Sequence, residues 1–317
     1  MNALNQGEGI AVVSLDPTLD IIFFDMNYAY NQKTFANNLL LSPGGFGINV
    51  CRGLKQLGNN ATLFTILGGH IGNLVESKLA NENIDFRYLE NINETRLTSI
   101  MVSNKSRSML VSPSPQFNRQ LIEQFINEFA CELSKYKFVL FGGSFPNEHS
   151  DFLVDNLVSP LVEKKVSVVM DSRGTFAQRS VNCDLYAMRY NPIIKNMPPF
   201  PYLLIRQASK LYISGIPFVF FYVNKHCYAI FDEYIWKYPN HMMFTKNIAN
   251  RIFGRGDAFI AGLIASLCSS KDKNLAICNA IACTAAFELD YPLGNISIVL
   301  LKEYLRKIRL IKRWKLK

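Results

Sequence analysis

The chain has no C-x-x-C pair among its seven cysteines and only four histidines. Zinc cages and disulfide frameworks are therefore poor readings, and buried free thiols in a reducing cytoplasm fit better. No G-x-x-x-x-G-K-[ST] run occurs, which argues against a P-loop enzyme. The dinucleotide fingerprint fails too: Gly45-x-Gly47 is followed by Val50 where a third glycine or alanine belongs. Apolar runs such as Phe218 to Val223 are far too short to span a bilayer. The N-terminus has no basic n-region and carries Glu8, which argues against a secretory signal. Charged residues are only 19% of the 317 and apolar ones 49%, a balance that excludes disorder and supplies a sizeable core. Net charge is +9, yet eight basic residues against Glu303 between Lys302 and Lys317 hold +7 of it. The body is near neutral and the C-terminal segment basic.

What is present centres on Ile252 to Ser269. Gly254-Arg255-Gly256-Asp257 opens a run of apolar and small residues that predicts a buried helix. The first amides of such a helix lack intrahelical partners, and the macrodipole adds partial positive charge there. Glycines before it let backbone approach an anion, so the turn is a candidate phosphate cradle with Asp257 as proton acceptor. The other reading keeps Asp257 as an N-cap and the glycines as a turn.

In order along the chain, residues 9–15 read as a buried strand ending at Asp16-Pro17-Thr18-Leu19-Asp20. Residues 21–41, rich in aromatics and Asn and holding Lys33, predict strands of a small antiparallel appendage, with a second piece at 96–112 entered by Arg96. Between them, Pro43 to Asn49 forms a glycine turn into a helix. A strand at 61–67 leads through Gly68-Gly69-His70 to a further helix, the alternation of a parallel sheet. Helix 118–133, strand 137–141, helix 149–164 and strand 166–170 continue it. The strand ends carry Gly142-Gly143-Ser144 and Asp171-Ser172-Arg173-Gly174, which in an open α/β sheet border the ligand crevice. Residues 189–202 are proline-rich; strands at 217–223, 227–231 and 235–238, helix 273–288 and a basic C-terminal helix complete the chain.

The order of these pieces resembles the ribokinase-like, phosphofructokinase-B carbohydrate kinases, in particular the branch with 1-phosphofructokinase and tagatose-6-phosphate kinase. The resemblance covers about residues 10–310 and rests on five motifs in sequence. It implies a three-layer α/β/α sandwich with a mainly parallel sheet and a β lid. The kinase domain would span 9–310, with lid segments at about 20–42 and 94–113 and a basic tail at 311–317. By the same resemblance, Asp20 in Leu15-Asp16-Pro17-Thr18-Leu19-Asp20, Gly44, Gly45 and Asn49 in the glycine turn, and Ser144 would hold sugar hydroxyls. Lys33 and Arg96 would hold the acceptor's existing phosphate, and Gly254, Arg255, Gly256 and Asp257 would form the anion hole and base. The nucleotide side departs from the family: Arg189-Tyr190-Asn191-Pro192-Ile193-Ile194 keeps Asn191 but has Ile194 for a glutamate. Tyr222-Val223-Asn224-Lys225-His226-Cys227 has no glycine, which leaves Tyr222 and Asn224 as the nucleotide contacts.

The implied activity is transfer of phosphate from ATP, with Mg²⁺, to a sugar phosphate such as fructose 1-phosphate or tagatose 6-phosphate. The alternative is an impaired member that keeps the fold and binds a sugar phosphate or a macromolecular partner. The resemblance also implies a homodimer formed through the lid. A separate reading concerns residues 300–317, whose apolar and basic residues recur near helical spacing; such a helix could meet nucleic acid or anionic lipid, or simply pack with a solvated basic end.

Overall fold

Runs such as Phe138 to Phe141 show no polar alternation because helices cover both faces of their strands. The computed structural model describes residues 9–24, 32–102, 107–190, 201–223, 226–240, 254–287 and 295–316. Its main sheet runs through β1 (Ile10–Val13), β4 (Ala61–Gly68), β5 (Asp85–Asn91), β8 (Phe138–Gly143), β9 (Ser167–Ser172), β10 (Ala187–Arg189), β11 (Val219–Val223), β12 (His226–Phe231), β13 (Tyr234–Pro239) and β14 (Lys312–Lys315). Their spatial order is β14-β13-β12-β11-β10-β9-β8-β1-β4-β5. Pairing is parallel from β5 to β11 and antiparallel from β11 to β14.

Side chains alternate between two cores. Val139 and Phe141 join Leu121, Phe125, Leu153 and Phe176 on one face, while Phe138 and Leu140 join Ile48, Val75, Phe259 and Ile277 on the other. The helices Arg119–Leu133, Gly174–Ser180 and Pro201–Ile213 cover the first face. Phe46–Gln56, Gly69–Asn81, Arg255–Ser269 and Lys273–Ala285 cover the second. This is the three-layer sandwich the resemblance implied. The helix expected at 149–164 contains a π-helical turn at Val154–Val158.

The lid is a second sheet, ordered β3-β2-β6-β7, from β2 (Thr18–Phe24), β3 (Asn38–Gly44), β6 (Arg96–Val102) and β7 (Arg107–Val111). It was expected to be antiparallel, but β2 and β6 run parallel, since both enter the lid from the same end of the main sheet. Period-2 geometry puts Thr18 and Asp20 of β2, Arg96, Thr98 and Ile100 of β6, and Met109 and Val111 of β7 on one lid face.

The basic C-terminal helix needs correction. It covers only Ile298–Lys307; Ile308 turns to extended backbone and is buried, and Lys312–Lys315 then pairs antiparallel with β13. The open edge of β13 offers backbone donors and acceptors, and Arg313 stacks its cation 5.2 Å from the Tyr234 and Trp236 rings. No described helix is long and apolar enough to cross a membrane.

Phe141 is fully buried between Phe145 and Phe176 at the centre of this sandwich. Phe141→Ala should cost about 3–5 kcal/mol, read as a lower urea midpoint at an unchanged slope.

Candidate active site

One cavity of about 310 Å³ opens between the lid and the strand ends of the main sheet. The lid's inner face forms one wall, and Gly45, Phe46 and Asn49 form another at the start of the Phe46–Gln56 helix. Gly143 and Ser144 border it after β8, with Gly254 and Asp257 closing it from the start of the late buried helix. The cavity lies at β1, between β4 and β8, where chain order along the sheet reverses, the place where open α/β sheets bind ligands.

Gly254 takes a left-handed backbone (φ 93°) that a side chain would strain, and its carbonyl accepts from the amides of Asp257 and Ala258 at 3.0 Å each. The amide of Asp257 is thus committed to its own helix rather than to an incoming anion. Helix start and carboxylate together face the cavity, so the N-cap reading fails: no side-chain cap bond is formed at this terminus.

Asp257 is held from one side. Asn49 donates from Nδ2 to Oδ2 at 2.8 Å. The amide cannot be turned round, because Arg52, one helical turn on, donates from Nη1 to Asn49 Oδ1 at 3.2 Å. Arg52 is in turn clamped by Glu82, at 2.5 and 2.7 Å, and by the Pro43 carbonyl at 2.6 Å. Burial pushes the Asp257 carboxyl up to about 6, with the Asn49 bond opposing the rise.

Asp20 is a second carboxylate on the cavity, and it is buried. Burial pushes it up to about 7 against the pull of Arg52. Gly44 backs it: a Cβ there would overlap the Asp20 carboxylate. Asp16 is the third; its Oδ2 accepts from Arg96 Nη1 in a short ion pair and from Ser114 Oγ at 3.0 Å. Arg96 also donates from Nε to the Ser112 carbonyl at 3.2 Å.

Behind the helix start, Arg189 pairs with Asp171 at 2.9 Å and lies under Gly256, its guanidinium 5.2 Å from the Tyr222 ring and 5.8 Å from that of Phe259. Burial raises the Tyr222 hydroxyl far above its ordinary value.

Of the residues named from sequence, Asp20, Gly45, Asn49, Arg96, Ser144, Gly254 and Asp257 meet in one cavity. Gly44 packs behind it, and Arg255 and Gly256 form the first turn of the late helix. Lys33 is exposed, its ammonium 4.8 Å from the Phe35 ring, and Tyr222 packs inward on Phe259; neither lines the cavity. Asn191 and Asn224 lie outside the described residues. Sequence reading placed Asp16 and Asp171 at strand ends bordering the crevice, but it passed over Arg52 and Glu82 and the pairing of Asp16 with Arg96 and of Asp171 with Arg189. The spacing of Arg52 from Asn49 could have flagged the first; the others are paired only across the fold.

The model of the "pfkB family carbohydrate kinase" group matches residues 10–186. Among solved structures, the chain is similar to a possible 1-phosphofructokinase of Thermotoga maritima (TM-score 0.80, 19% identity, 98% of this chain and 100% of that one). It is also similar to the phosphofructokinase-2 of Escherichia coli in complex with potassium (TM-score 0.81, 18% identity, 95% and 99%). The tetrameric inhibited form of the latter gives TM-score 0.77 at 17% identity over 95% and 99%. At these identities the likeness carries the fold.

Both Asp20 and Asp257 titrate above the ordinary carboxylate value of 3.8, so the folded chain binds protons that the unfolded chain has released. Their burial costs stability in full above pH about 7, and the cost fades as pH falls toward the unfolded value. Asp257→Asn should therefore melt at higher temperature than the parent at pH 8, with the gap closing toward pH 4, as followed by calorimetry.

Proposed function

Since the chain belongs to the pfkB family of carbohydrate kinases, we propose that it moves a phosphoryl group from ATP to a carbohydrate hydroxyl held in the lid cavity, with Asp257 as the base. The observation that carries this is the half-buried Asp257 carboxylate, which lines the cavity from the first turn of the late helix, has one oxygen fixed by Asn49, and has its pKa pushed up to about 6 by desolvation.

Both implied groups suit the residues present. The Gly254–Gly256 turn and the aligned dipole behind it fit a phosphate, and the oxygens of Asp257 fit the water shell of a hard cation. Bound Mg·ATP would supply the phosphoryl group and screen its charge.

The protein's own part is positioning and proton transfer. Asp20 and Ser144 orient the sugar. Asn49 occupies Oδ2 of Asp257, which leaves Oδ1 to take the proton of the sugar hydroxyl; the sugar oxygen would then bond to the γ-phosphorus of bound nucleotide with ADP as the leaving group. Arg96 stands on the cavity wall where a phosphorylated ketohexose would need a cation, and it is already engaged by Asp16. A homodimer through the outer lid face, where Leu39 and Leu110 are exposed, is the assembly this reading favours. Buried free thiols at Cys51, Cys227 and Cys283 support a cytoplasmic location.

A coupled ADP-release assay across fructose, fructose 1-phosphate, fructose 6-phosphate and tagatose 6-phosphate tests the reaction. Asp257→Asn should lower kcat by on the order of 10²–10⁴-fold, the usual range for a lost general base; unchanged turnover would exclude this mechanism. In the parent, kcat/KM should rise with pH and level off above about 6. Asn49→Leu removes the bond that favours the charged form, so its acid limb should move to higher pH.

A further inference from the structure

The charge on the cavity wall does not suit a second phosphate. Among the described residues, its ionisable groups are the carboxylates of Asp16, Asp20 and Asp257 and the guanidinium of Arg96. Even with Asp20 protonated, two carboxylates face one cation. That cation is also spoken for, by the Asp16 carboxylate and by the Ser112 carbonyl.

Asp16 is built into this role. It is 7% exposed, sits at the turn after β1, and is held by Ser114 as well as Arg96. Its remaining oxygen, Oδ1, is buried and accepts no hydrogen bond from the described residues, so the carboxylate's charge is offset only at Oδ2. An uncharged sugar hydroxyl meets no repulsion from such a wall and can donate to Asp20 beside it. A phosphate dianion, which only accepts, meets repulsion from Asp16 and a guanidinium already paired. Beside this polar end, Ile100, Met109 and Val111 of the lid present an apolar surface that offers no donor to an anion.

From this we infer that Asp16 is a specificity-determining residue: by holding Arg96 it turns the cavity toward an acceptor that carries no phosphate, an uncharged polyhydroxy carbohydrate. This deepens the carbohydrate-kinase reading and rests on it for the cavity being the acceptor site. Asp16 touches the acceptor's surroundings rather than the reacting atoms.

The test is titration calorimetry on the full chain and on Asp16→Asn, using inorganic phosphate and two matched pairs, fructose with fructose 6-phosphate and tagatose with tagatose 6-phosphate. The parent should bind the uncharged member of a pair more tightly. Asp16→Asn should shift the ratio roughly tenfold or more toward the phosphorylated member and tighten inorganic phosphate similarly, the size expected for one charge-assisted contact released. Tighter binding of the phosphorylated member by the parent, or a ratio and phosphate affinity unmoved by Asp16→Asn, would overturn the inference. Should Asp16→Asn fail to fold, the parent's ratio alone decides. The kinase reading fails separately: no ADP released with any acceptor would sink it, while the binding ratios would still decide the role of Asp16. ADP release fastest with a phosphorylated sugar would do the reverse, keeping the kinase and discarding the inference.

Discussion

A half-buried, desolvated carboxylate at the head of an apolar helix is costly, and most of the site can be understood as the means of keeping Asp257 there. The helix Arg255–Ser269 is buried from Ala258 to Ile264 and again at Ser266 and Leu267, so packing just after its first turn, rather than a polar cap, fixes its start. Asn49 meets one carboxylate oxygen, and the Arg52–Glu82 pair fixes which way that amide points. A group so placed has a raised proton affinity and a fixed direction, the two properties a general base needs near neutral pH. The same burial opposes folding, a trade common at catalytic carboxylates.

The second constraint is charge balance. Among the described residues the cavity sets three carboxylates around one arginine, a poor place for a ligand bringing further negative charge except at the helix start, where backbone dipoles offset it. On the proposed reading, phosphoryl groups and hydroxyls would be sorted to opposite ends of one small space. The lid supplies the sorting wall: its period-2 alternation puts Asp20, Arg96 and Thr98 beside Ile100, Met109 and Val111 on a single face.

Interior cation pairs recur in the molecule. Arg189 with Asp171 lies behind the helix start, and Arg52 with Glu82 lies behind Asn49. The Arg52 pair supports Asn49 at the cavity and the Arg189 pair lies under Gly256 in the first turn of the late helix, and neither pair lines the cavity. Such pairs are weak evidence of net stability but effective at fixing one geometry, because the charge of either partner alone would be stranded.

Hydrophobic pattern and motif order were enough to reveal the alternation of strands and helices, the two covered faces, the late buried helix and most of the cavity wall. Local chemistry dictates these: glycine where backbone turns left-handed, apolar runs where both faces are covered, carboxylates at strand ends. Tertiary structure decided the rest. The basic C-terminal residues have helical spacing, yet Lys312–Lys315 became a strand because β13 had an open edge to satisfy. Arg96 reads in sequence as a free cation, and only the meeting of β6 with the turn after β1 shows that Asp16 holds it. Residues eighty positions apart leave no trace of their pairing in a single sequence, since the energy that joins them exists only once the chain has folded.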